Sequence, residues 1–420
     1  MYNLLIVQNT IVLYSVFNWY KCTIQGAENT MNDHSTLTAA TNKALIDPES
    51  SRRITSLRFI LSMLVVFIHN NLNLKIFADW EEAGSPVPVF AQSLPGEWIQ
   101  FLISNALASC AVPLFFMFSA YLFFKKPGTY SEMLRKKTKG LLIPYVIWTL
   151  LNILLFSLIK FIIARLFPSL FVKPEAIPVV SYGFSDWIKA FTGICYDRYN
   201  HPYVAQFWYI RNLFILFLIS PLLRIIYKKF PKSSLILCIF LFISDIAPSA
   251  FSSAKPALLF FTLGYFWAEK DFSPFSFADS IGWCELIVMF IFSALGDKLF
   301  FNGNSVAGSL MVFFSCLFFL KLSGLIARNP GSFSLAEKFA PFSFFLFAIH
   351  MPLLLNCVQK VWLRLFPMKN GFFCLFEYFG VNITIILIGT ITAAIFRKVC
   401  PPLFSLLNGG RKGASKNCNF

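Results

Sequence analysis

Charge is scarce in this sequence: only 13% of its 420 residues are Asp, Glu, Lys or Arg, about half the share of an ordinary soluble domain. So few charges cannot cover the water-facing surface of a chain this long. Paired cysteines are missing too. The ten cysteines are scattered with no C-x-x-C, and most fall inside apolar runs, where they read as small apolar side chains. Cys195 has no obvious partner nearby, so no structural disulfide is expected. The four histidines form no H-x-x-x-H pair, and no metal site follows from them. Neither a P-loop nor a G-x-G-x-x-G occurs, which leaves no sign of an ATP-driven pump. Apolar and polar residues do not alternate strictly, which excludes a membrane β-barrel, and no repeat of roughly 20 to 50 residues stands out.

Apolar residues are what the sequence has in excess. Hydrophobic side chains make up 57% of it, 52 residues are Phe, and the mean hydropathy is +0.66. Runs long enough to cross about 30 Å of hydrocarbon, each needing about 20 helical residues, recur almost end to end. They predict helices near 54–77, 98–124, 141–163, 205–227, 233–249, 254–268, 281–301, 305–327, 340–363 and 371–396. The fold class is therefore all-α, a polytopic integral membrane protein with about ten transmembrane helices. Residues 51–398 form the transmembrane domain and 399–420 a C-terminal tail.

The formal charge is +16, but its placement argues for membrane orientation and against nucleic acid. Arg52 and Arg53 precede the first run; Lys125, Lys126, Arg135, Lys136, Lys137 and Lys139 follow the second; Arg224, Lys228, Lys229 and Lys232 close the fourth. Arg397, Lys398, Arg411, Lys412 and Lys416 follow the last. The intervening connections, 78–97 and 164–204, are acidic or mixed. Both termini are expected in the cytoplasm, and the basic runs read as solvated loops facing anionic lipid headgroups. Residues 1–50 read as an N-terminal extension and cytoplasmic tail. Its first twenty residues are apolar but interrupted by Asn3, Gln8, Asn9 and Asn18, and they lack the basic start of a secretory signal. Met31 is the expected start of the chain, with an extra helix as the alternative.

The chemistry is concentrated in "TSLRFILSMLVVFIHN", residues 55–70. On a helix the eleven steps from Arg58 to His69 rise about 16 Å and return to within about 20° of the same face. A charged side chain inside a membrane is costly and functional by default. The plain alternative is an arginine that reaches for the interface and a histidine that bonds a neighbouring helix. A transporter or flippase for lipid-linked sugars would also hold ionisable groups at mid-membrane, but no inverted repeat or paired broken helix is visible. A non-enzymatic scaffold would not explain the shared stripe.

An arginine and a histidine separated by ten residues on the first span resemble the signature of the membrane-bound acyltransferase-3 family. Further stretches agree. "VPLFFMFSAYLFFKK" is similar to that family's Phe-Phe-x-x-Ser-Gly segment at Phe115, Phe116 and Ser119, with Ala120 in place of glycine. "LRKKTKGLLIPYVIW" resembles its basic loop and Ile-x-Pro-Tyr helix start, at Arg135, Pro144 and Tyr145. "QFWYIRNLFILFLISPLL" matches at Trp208, Tyr209, Ser220 and Pro221, with Gln206 where many members have histidine. "SFFLFAIHMPLL" keeps the late histidine as His350, with Phe347 for tyrosine.

The resemblance implies a bacterial inner-membrane O-acyltransferase. It would move an acetyl or other acyl group from acyl-CoA, a donor substrate and no permanent cofactor, to a hydroxyl of a cell-surface or lipid-linked glycan. His69 suits a general base, with His350 as a second catalytic residue and Asn70 placed to orient the base or meet the acceptor. Arg58 counts among the catalytic residues with the two histidines, and Arg58, Arg135, Lys136 and Ser119 would meet the donor, the cations as partners of its phosphates. Trp208, Tyr209 and Arg211 would meet the acceptor or anchor the helix at the interface.

Overall fold

A computed structural model describes residues 46–70, 94–166, 177–197, 199–244, 251–270, 273–301, 306–366 and 371–411, and every regular element among them is helical. The expectations for residues 1–45 and the start at Met31 lie outside the described residues, as does the acidic connection around Asp79, Glu81 and Glu82.

The first helix, α1 (Pro48–His69), starts where local chemistry tells it to. Asp47 accepts from the backbone N–H groups of Glu49 and Ser50, and Pro48 takes the first helical position, where its missing N–H costs nothing. It stops at His69, short of the expected 77; residues 71–77 are outside the described set. Next come α2 (Ala111–Lys125), continuous with a looser helical lead-in from Leu94, then α3 (Tyr130–Lys137) and α4 (Ile143–Leu166). After two short helices in the 177–192 connection follow α5 (Trp208–Leu218) and α6 (Ser220–Lys229), which meet at a 65° bend where the Ser-Pro pair starts α6. Then come α7 (Pro231–Ile243), α8 (Ala254–Glu269), α9 (Pro274–Ser280) and α10 (Trp283–Gly296), the last two at 98°. The chain closes with α11 (Val306–Arg328), α12 (Pro330–Phe339), α13 (Ser343–Ile349), α14 (Leu355–Leu365), α15 (Gly371–Val399) and α16 (Pro401–Leu407).

The protein is thus an all-α polytopic membrane protein, but the expectation of ten crossings needs revision. Among the described residues five helices are long and apolar enough to span, or seven if each bent pair is one span. The other three apolar runs fall short for physical reasons. Helix α7 has 13 residues and α8 has 16, while α1 carries Arg52, Arg53 and Arg58. Charge is tolerated on α1 because the helix lies inside protein. It packs against α2, α11, α12 and α13, and its Leu57, Leu61 and Val65 are no more than 1% exposed. Peripheral α4 and α15 instead turn apolar side chains such as Leu154, Leu158, Ile383 and Leu387 outward.

Two contacts correct the reading of basic residues as solvated loop charges. Arg53 is buried and makes a bidentate pair with Asp279 (2.6 and 2.9 Å), with further bonds to Ser323 Oγ and the Leu320 carbonyl. Its desolvation is offset by a fully satisfied fork. The 125–140 connection, expected as a loop, holds α3, fixed by a capping box in which Thr129 and Glu132 satisfy each other's backbone N–H.

Helix α8 lies along α2 at close range. A Cβ on Gly264 would collide with the Met117 carbonyl and the Ala120 methyl, so two small residues set the approach of the helices. This is why alanine serves at position 120.

Candidate active site

At the end of the bundle that carries the basic residues, α1, α2, α3, α5 and α13 enclose a cavity of about 670 Å³. Helix α1 contributes Arg58 and Ser62. Helix α2 contributes Ser119, and Lys126, the extended residue that caps its C-terminal end, lines the cavity too. Helix α3 contributes Met133, Lys136 and Lys137, α5 contributes Tyr209, and α13 contributes Phe344 and Phe347. Arg411, from the far end of the chain, completes the wall. Five cations (Arg58, Lys126, Lys136, Lys137 and Arg411) thus face one carboxylate, Glu337.

That imbalance is not relieved by pairing. Among the described residues the Arg58 guanidinium has no carboxylate or hydrogen-bond partner. Lys137 lies over the Phe217 ring at 4.6 Å and Arg411 over Phe344 at 4.3 Å. Withdrawal from water, and Arg58 beside it, push the Arg411 guanidinium down to about 10, which leaves it charged at neutral pH.

His69 sits at the other end of α1, and its ring faces that of His350 with centroids 5.4 Å apart. His350 is fully buried, and its Nδ1 lies 2.7 Å from the Phe347 carbonyl. A carbonyl only accepts, so Nδ1 carries the proton and Nε2 holds the lone pair. Nε2 is buried and has no partner among the described residues. The local backbone explains the placement: the helix breaks at Met351, whose φ/ψ of −132°/159° is extended, before α14 resumes. Gln206 braces the break, donating to the carbonyls of Met351 (2.9 Å) and Ala348 (3.5 Å). The amide at this position is therefore structural. Phe347 links the two regions, since it lines the cavity and its ring lies 6.1 Å from that of His350.

The remaining expected site residues divide. Ser119 and Tyr209 both line the cavity, with their hydroxyls 3.4 Å apart. Arg135 is exposed and Lys136 lines the cavity; the two are adjacent on α3 and point about 100° apart. Trp208 packs on Phe116, centroids 6.1 Å apart, outside the cavity wall. Asn70 is occupied by the protein, donating to the Tyr378 carbonyl (3.3 Å) and accepting from Gln359 Nε2 (2.7 Å). Arg211 is likewise engaged, donating to the carbonyls of Thr192 (2.8 Å) and Asn200 and to Asn212 Oδ1, so it fastens the 192–200 connection. No group of three or more His, Cys, Asp or Glu side chains converges among the described residues as a metal ion would need.

Sequence reasoning missed Lys137 and Arg411 as site residues. A signal for Lys137 was present: Thr129 with Glu132 fixes the start of α3, which puts Met133 and Lys137 on one stripe. No periodic signal marks Arg411.

The sequence profile of an acyltransferase domain, that of the acyltransferase-3 family, matches residues 52–396. The chain belongs to the acyltransferase-3 family. Succinoglycan biosynthesis protein ExoH of Rhizobium meliloti (strain 1021) is 23% identical over 398 residues, covering 88% of this chain and 95% of that protein. No solved structure matches the chain. As a member of the acyltransferase-3 family it is a membrane enzyme that transfers acyl groups. Both the cationic cavity and the histidine pair lie within the family domain, apart from Arg411 and its neighbour Gly409.

Proposed function

We propose that this enzyme is an O-acyltransferase that moves an acetyl group from acetyl-CoA to a hydroxyl of a polysaccharide or of its lipid-linked precursor. The observation that carries the reading is the cavity in which Arg58 and four further cations meet a single carboxylate, joined through Phe347 to the His69–His350 pair. A polysaccharide acceptor is supported by the likeness to a succinoglycan biosynthesis protein. The donor's phosphates bind among the cations as charge-assisted partners, and its pantetheine arm runs along the Arg58–His69 stripe. The basic end then faces the cytoplasm, where the donor is, with both termini on that side.

The transfer uses the imidazoles. His69, half-buried, takes the proton of the acceptor hydroxyl as its oxygen attacks the thioester carbonyl carbon. The tetrahedral intermediate collapses, the C–S bond breaks, and the CoA thiolate leaves and recovers a proton from the imidazolium. His350, its tautomer fixed by the Phe347 carbonyl, presents Nε2 towards this exchange and positions its partner.

The test is reconstitution of the full chain in lipid nanodiscs with acetyl-CoA and chemically deacetylated surface polysaccharide. Acetyl ester and free CoA should form in equal amounts. Passage of a lipid-linked sugar across the bilayer with no ester formed would overturn the reading in favour of a flippase.

A further inference from the structure

The match to the family domain ends at residue 396, and beyond it the described residues up to Arg411 fold back onto the bundle. We infer that this appended segment is part of the donor site and that Arg411 binds a phosphate of the acyl-CoA. The inference rests on the donor proposed above.

The segment is anchored and not merely adjacent. Phe404 and Leu407 are buried, and the Phe404 ring packs on Phe345 and Phe342 of the α13 region at 6.0 and 6.3 Å. Trp148 Nε1 donates to the Leu407 carbonyl at 2.9 Å, and the fully buried Asn408 donates to the Pro341 carbonyl at 2.9 Å. The chain then reverses through Gly409 (φ +66°) and Gly410 (φ +71°), two consecutive left-handed residues that only glycine adopts readily. A Cβ on Gly409 would collide with the Gly140 carbonyl in the helical link (Thr138–Leu142) that follows α3, so the turn is seated on the chain just beyond Lys136 and Lys137.

The turn delivers Arg411 into the cavity wall beside Arg58. Its Nη1 donates to the Asn408 carbonyl at 2.9 Å, and its guanidinium lies over Phe344. Its Nε and Nη2 have no acceptor, and it has no carboxylate partner, among the described residues. Holding two unneutralised guanidiniums together, one of them fixed by a turn, a stacked ring and a backbone bond, is unfavourable unless an anion joins them. A planar fork with donors to spare matches a phosphate. Anionic lipid offers the same chemistry, so the test separates the two sources.

The experiment measures acetyl-CoA binding calorimetrically and transfer kinetics on full-length protein in nanodiscs of neutral lipid, with and without added phosphatidylglycerol. Arg411→Ala should weaken acetyl-CoA binding about 10-fold or more and raise the donor KM to match, while kcat at saturating donor stays within about 2-fold. Arg411→Lys should recover part of the affinity, and Gly409→Ala, which displaces the turn without removing the charge, should resemble Arg411→Ala. Lys398→Ala, exposed on the same terminal stretch and outside the cavity, is the control. If the wild type fails to bind acetyl-CoA, the donor reading itself falls. If the wild type binds and Arg411→Ala binds equally well, only the present inference falls. Loss of phosphatidylglycerol retention with acetyl-CoA affinity intact would give the cation to a lipid headgroup and also overturn it.

Discussion

The histidine pair allows a test sharper than a single deletion, because the structure provides a substitution that removes one nitrogen and spares the other. Asn has an amide N–H close to where His350 Nδ1–H stands, so His350→Asn can keep the bond to the Phe347 carbonyl and delete only Nε2. Ala removes both. An unpaired buried carbonyl costs about 1–3 kcal/mol, so His350→Ala should melt below His350→Asn by that margin, before the cavity left by the ring is added. On the chemistry, His69→Ala removes the proposed base, and transfer should fall by about 10² to 10⁴ with donor affinity unchanged. His350→Asn should cost about 10 to 10². The two losses should not multiply: if the rings 5.4 Å apart act as a unit, His69→Ala with His350→Asn should be within about 3-fold of His69→Ala alone. The assay is acetyl ester formed per folded molecule, with stability and acetyl-CoA binding measured on the same preparations. Effects that multiply, or a His69→Ala enzyme working at near wild-type rate, would refute the paired mechanism.

Other consequences are as direct. Arg58→Ala and Lys137→Ala should each raise the donor KM about 10-fold, Arg58→Lys should be intermediate, and Arg135→Ala should change it less than 2-fold, since Arg135 is exposed away from the cavity; steady-state kinetics over donor concentration decides. Gly264→Ala should destabilise by about 1–3 kcal/mol, because the added methyl meets backbone on α2, and thermal unfolding in detergent reads it out. Glu377 is fully buried on α15 with both carboxylate oxygens unpartnered among the described residues; Glu377→Leu should therefore stabilise the fold by about 1–3 kcal/mol, and a lower melting temperature would show a missing partner.

The sequence by itself determined a good deal here. Apolar runs of spanning length made an all-helical membrane protein unavoidable, because only internal hydrogen bonding satisfies a backbone in lipid. The 3.6-residue period put Arg58 and His69 on one stripe, and their ten-residue separation with the later short segments pointed to the family. These are properties of one helix at a time. Among the described residues five helices, or seven with each bent pair as one span, are long and apolar enough to cross, and hydropathy does not record that α5 and α6 meet at 65° or that α1 is wrapped by other helices. What the sequence understated was the use of its charges. Arg53 looked like an orientation signal and is a buried partner of Asp279, 226 residues away. Arg211 and Asn70 looked free for substrate and are occupied by the 192–200 connection and by Gln359 and Tyr378. Only the tertiary structure decided that His350 faces His69, that Lys137 rather than Arg135 turns into the cavity with Lys136, and that a Gly-Gly turn brings Arg411 to Arg58. Periodicity fixes which residues share a face, whereas the neighbour across that face is chosen by packing between segments hundreds of residues apart, and no local pattern records it.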